Sequence, residues 1–116
     1  MQSNKPNVIV EKTLGFALLI IEFVELLESK RKFVVANQLL KSGTSIGANV
    51  REAQNAESRA DFIHKMKIAA KEAEETKYWL LLCQFSESYP NCEELQNKLT
   101  DIFKILSKII ISSKGK

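Results

Sequence analysis

Apolar residues recur along this chain at alternating spacings of four and three, in four separate stretches. In the first, about 11–29, Val10, Leu14, Ala17, Ile21 and Val24 make one seam, and Phe16, Ile20, Phe23 and Leu27 make a second. Glu11, Glu22, Glu25 and Glu28 leave only a narrow wet edge. An apolar surface this wide exceeds the stripe of roughly 100° that suffices for a helix lying on a core. Either this helix is central in its own bundle or its outer face packs on another copy of the chain. Phe16, Ile20 and Phe23 are the candidates for such a contact.

The second stretch, about 33–56, runs through residues that should break a helix. Val35, Leu39, Ser42, Ile46, Asn49, Ala53 and Ala56 keep the seam spacing, as in helices that face other helices. Gly43 and Gly47 lie inside it, each costing roughly 1 kcal/mol relative to alanine in mid-helix. Their G-x-x-x-G spacing reads as a close-packing face. Ser42, Asn49 and Glu52 read as a structural polar seam, since a buried Asn fixes register at some cost in stability. Glu52 could join it through Lys71 or Tyr78.

Ser58 and Asp61 form an S-x-x-D capping box that opens a third helix, about 59–84. Its inward residues are Phe62, Met66, Ala69, Ala73, Thr76, Leu80 and Cys83, with Asp61 and Lys65 as an i,i+4 pair. Residues 85–91 read as a loop with Pro90 as breaker and Asn91 as N-cap. The fourth helix, about 92–112, turns Leu95, Leu99, Ile102, Leu106 and Ile109 inward, and residues 113–116 should fray. Short connections between long helices predict an all-α fold, an antiparallel up-down-up-down four-helix bundle. Its length of 116 residues suits a single domain, small enough to gain from oligomerisation.

Charge and chemistry narrow the function classes. The net charge of +3 permits contact with nucleic acid without implying it. Cys83 and Cys92 flank a predicted loop, and without a secretion signal they read as reduced thiols in a cytoplasm. The apolar run Leu14–Ile21 is shorter than the roughly 20 residues a bilayer span needs, so no membrane is expected. The segment KSGTSIGAN fails the phosphate-binding pattern G-x-x-x-x-G-K-[ST]. Asp61 and His64 faintly resemble half of a di-iron element, but the chain has one histidine. Glu72, Glu74 and Glu75 read as a charged face, and Ser42, Thr44 and Ser45 have no local histidine to activate them. The sequence therefore points to no catalytic, cofactor-binding or metal-binding residue, no cofactor, and no enzyme. Basic residues concentrate on the second and third helices, where Lys41, Arg51, Lys65 and Lys67 are the candidate nucleic-acid contacts along one groove of an assembly.

The segment QLLKSGTSIGANVREAQNAESRADFIHKMKIAAKEAEETKYWL, Gln38 to Leu80, closely resembles the core motif of the bacterial four-helix-bundle family. This is also called the 23S ribosomal RNA intervening-sequence protein, or S23, family. Glu11-Lys12-Thr13 followed by Phe16-Ala17 resembles its first-helix motif. The resemblance implies a ring-like homo-oligomer, a pentamer, and implies that Ser42 to Asn49 stays helical. The family name reflects where some members are encoded, and no catalytic residues are described for it. A related group, the accessory proteins of diversity-generating retroelements, shares the architecture and is associated with nucleic acid and a reverse transcriptase. Those relatives are more basic. The expected function is thus a non-enzymatic oligomeric scaffold or interaction protein, with an RNA- or DNA-binding accessory factor as the alternative. The expected partners are the chain itself, RNA or DNA, and an unidentified protein.

Overall fold

Four helices occupy residues 7–115, which are those the computed structural model describes: α1 Val8–Ser29, α2 Phe33–Ala53, α3 Arg59–Phe85 and α4 Glu93–Lys114. No strand occurs among the described residues. Local chemistry sets each boundary. Asn7 caps α1, its Oδ1 accepting from the Val10 N–H at 3.4 Å while its Nδ2 donates to Gln54 Oε1 at 2.8 Å. The helix therefore starts before Glu11, through Val8, Ile9 and Val10, whose β-branched side chains are poor helix formers. Ile9 is nonetheless buried in the core, and that packing decides.

The Ser58 hydroxyl accepts from the Asp61 N–H at 3.0 Å, opening α3. Asp61 reaches back at 3.2 Å to the N–H of Glu57, one residue before the cap. Cys92 occupies the N-cap position of α4, and Asn91 accepts from the Glu93 N–H instead. After Ala53 the N–H groups of Gln54, Asn55 and Ala56 bond carbonyls three residues back, so α2 ends in a tight turn instead of continuing to Ala56. At the far end, Ser113 and Lys114 extend α4, and Lys116 lies outside the described residues.

The α1–α2 turn is a Schellman motif. The Lys32 N–H bonds the Leu27 carbonyl at 2.8 Å, the Arg31 N–H bonds that of Glu28 at 2.9 Å, and Arg31 takes a φ of 62°. Three turn residues reach about 10 Å, far less than a helix of 21 residues, about 32 Å long. Consecutive helices must therefore run antiparallel, and the long axis of 47 Å agrees with side-by-side packing. Sequence neighbours pack together, α1 also meets α4, and neither diagonal pair brings its Cα atoms within 8 Å.

Small residues bring α2 close to both neighbours. A Cβ on Gly43 would sit 2.8 Å from Ile20 Cγ1, and one on Gly47 would sit 3.3 Å from Thr13 Oγ1. Toward α3, buried Ala36, Ala53, Ala69 and Ala73 leave little between the backbones. The fourth helix meets the rest with larger side chains, Leu95, Leu99, Ile102 and Leu106. Clefts flank it, one of about 180 Å³ against α1 and one of about 370 Å³ against α3.

Candidate functional site

The surface of α1 differs from the expected contact. Phe16, Ile20 and Phe23 are 1, 0 and 8% exposed and belong to the core of the chain's own bundle. Their seam extends back through Thr13 to Ile9, at spacings of four and three along the whole helix, so the bundle takes that face. What it leaves uncovered is the other seam's rim: Leu14, Leu18 and Ile21, exposed by 47, 55 and 38%. Exposed Glu11, Glu22 and Glu25 border them. Gly15, about a quarter-turn round from Leu14, lines the α1–α4 cleft with Leu19, Lys98 and Asp101, where an added Cβ would meet nothing within 4 Å.

The expected polar seam is reduced to one buried residue. Ser42 is fully buried, its hydroxyl 2.9 Å from that of Thr76, which also reaches the Glu72 carbonyl at 2.8 Å. Asn49 turns back on its own helix and donates to the Ser45 carbonyl at 2.9 Å. Glu52 is exposed and pairs with Lys65 at 2.9 Å, engaging neither Lys71 nor Tyr78. That hydrogen bond raises the Lys65 pKa and draws the ammonium to α2, away from the expected pairing with Asp61. Asn49 sits too far round α2 to enter the core; Ser42 faces α3 directly. Glu75 accepts from the Trp79 indole at 3.2 Å, a local i,i+4 contact.

Of the candidate nucleic-acid contacts, Lys65 and Lys67 face different neighbours within the chain. Lys65 leans on Glu52 of α2, whereas Lys67, two residues later, stands beside Lys114 of α4. Two residues turn a helix by about 200°, which puts these lysines on opposite flanks of α3. Lys41 and Arg51 are exposed on α2, ten positions and roughly 15 Å apart along the axis. The proximity of Lys114 lowers the Lys67 pKa. Among the described residues the only ion pair is that of Lys65 with Glu52, so the two neighbouring ammoniums lack a counter-charge.

The α3–α4 cleft has an apolar floor that includes Leu80, Leu81, Leu99 and Phe103, and Lys77 and Lys104 stand at its rim. Lys77 Nζ stands over the Phe103 ring, 5.8 Å from its centroid. Gln84 and Gln96 close the cleft at one end through a hydrogen bond of 2.9 Å. Nearby, Cys83 and Cys92 are free and buried. Burial, then the neighbouring Cys92, pushes the Cys83 thiol up to about 12. Burial also raises Cys92, whose thiol donates to the Leu80 carbonyl at 3.4 Å. No group of acids, cysteines and histidine that could hold a metal ion occurs among the described residues.

This arrangement of four helices, with α2 drawn close by glycines, can be compared with known proteins. A family model described as 23S rRNA-intervening sequence protein matches residues 5–109. The chain belongs to that family. A solved relative is described as a protein with unknown function from the S23 ribosomal protein family of Bacteroides thetaiotaomicron VPI-5482. It is 48% identical, the match covers 88% of this chain and 97% of that one, and the TM-score is 0.84. No curated protein matches the chain. The 23S rRNA-intervening sequence family match reaches into α4, past the segment that carries the motif resemblance.

Sequence reasoning missed Thr13, buried with its hydroxyl on the Ile9 carbonyl at 2.8 Å, and the meeting of Lys67 with Lys114. Continuing the seam spacing back to Ile9 would have found the first. The second depends on how far α4 runs beside α3. No described helix is long and apolar enough to cross a membrane.

Proposed function

We propose that this member of the 23S rRNA-intervening sequence family is a non-enzymatic helical scaffold that works as a self-assembled ring. The observation that carries this reading is the outward face of α1, where Leu14, Leu18 and Ile21 remain exposed after the bundle has closed. Burying apolar surface is worth about 25 cal/mol per Å², so covering this face in a second subunit favours association. Family membership supports the ring, with five copies as the expected number. Light scattering at micromolar concentration tests it: a multiple of the 13.1 kDa chain mass is expected, and a stable monomer overturns the reading. Leu18→Asp should shift the assembly toward monomer while leaving the helical content intact.

A second reading, an RNA- or DNA-binding accessory factor, is favoured by the unpaired lysines Lys67 and Lys114. Phosphates would supply the missing counter-charge, and the signature would be steep weakening of binding with salt. The modest net charge of +3 ranks this reading second.

A further inference from the structure

We infer that the cleft between α3 and α4 is the acceptor surface for the outward face of α1 from a second copy of the chain. The inference rests on the self-assembly proposed above and names the two surfaces that meet. Both are apolar at the centre and charged at the border, with opposite signs. The face of α1 carries Leu14, Leu18 and Ile21, bordered by the exposed carboxylates of Glu11, Glu22 and Glu25. The cleft carries Leu81 and Phe103, with Lys77 and Lys104 at the rim and Lys67 beside Lys114 farther along α3.

The spacings also match. Glu11 and Glu22 are separated by about 16 Å along α1, and Lys67 and Lys77 by about 15 Å along α3, at 1.5 Å per residue. A carboxylate delivered between Lys67 and Lys114 would relieve the repulsion that lowers the Lys67 pKa. The two surfaces lie on different sides of the bundle, so the contact is heterologous, and repeated head to tail it closes a ring or continues as a filament.

Charge exchange tests the assignment. Lys77→Glu with Lys104→Glu should lower the assembled mass, with at least a tenfold weaker association by analytical ultracentrifugation. Glu22→Lys with Glu25→Lys should do the same, and all four changes together should restore most of the association. Circular dichroism melting checks that each variant folds. Lys104→Glu alone, which spares the Lys77–Phe103 contact, should still weaken association. If the groove variants keep the wild-type mass while Leu18→Asp dissociates, the groove assignment is overturned and the scaffold reading survives. A monomeric wild-type chain overturns both. Unchanged mass with loss of RNA retention on a filter at low salt would assign the lysines to nucleic acid and also overturn the inference.

Discussion

At position 83 a thiol occupies a site that an aliphatic residue could fill, and its ionisation is coupled to folding. Burial pushes the folded pKa up to about 12, from the thiol's ordinary 9.0. Between those values the unfolded chain releases the proton and the folded chain keeps it. Stability from this group is therefore complete below about pH 9 and is lost as the pH rises toward 12. Thermal melts should show the wild type losing more stability between pH 8.5 and about 10.5 than Cys83→Ala does, whatever the cavity costs that variant. Equal slopes would count against the buried-thiol account. The sequence shows this cysteine in the α3 seam, because its spacing from Leu80 and Thr76 is legible. It does not show how far Cys92 approaches, since that depends on the loop connecting α3 to α4. Asn49 teaches the same limit: the spacing places it at a seam, but the side chain turns to Ser45.

Among the elements, α2 shows most clearly how sequence becomes packing. Its glycines lower helix propensity but allow α1 to come close, and the two positions differ. At Gly43 an added methyl would lie 2.8 Å from Ile20 Cγ1, inside a fully buried neighbour with nowhere to move. Overpacking of this kind costs about 1–3 kcal/mol, offset by about 1 kcal/mol of helix propensity. At Gly47 the nearest contact is 3.3 Å, to Thr13 Oγ1. Urea denaturation should therefore find Gly43→Ala less stable by about 1 kcal/mol, and Gly47→Ala within about 0.5 kcal/mol of wild type. The reverse order would mean that α1 and α2 are farther apart than described. The seam pattern revealed that α2 stays helical through these glycines. It could not say which neighbour they face, because both flanks of α2 carry small residues. For α1 the ambiguity was sharper. Two apolar seams compete for the core, and only Ile9, ahead of the expected start, and Thr13 just inside it make the Phe16 seam the longer one.

For the whole molecule, the order of helices was legible because short turns between long helices permit only antiparallel neighbours. The surfaces were less legible: the lysines of α3 separate onto two flanks according to which neighbour each one meets, a matter of rotation that composition does not record. The larger side chains of α4 and the clefts beside it have a consequence for motion. Two side-chain hydrogen bonds tie α4 and its cap to α3, Gln96 to Gln84 and Cys92 to the Leu80 carbonyl. Local opening follows the least densely packed unit. In deuterium exchange the amides of α4 should therefore label before those of α2 in the dilute monomer, and protection of α4 should rise with concentration as a neighbour fills its cleft. Uniform labelling of α2 and α4 would contradict this account. In the proposed ring, the fourth helix would then act as the breathing edge of each subunit, held shut by the next.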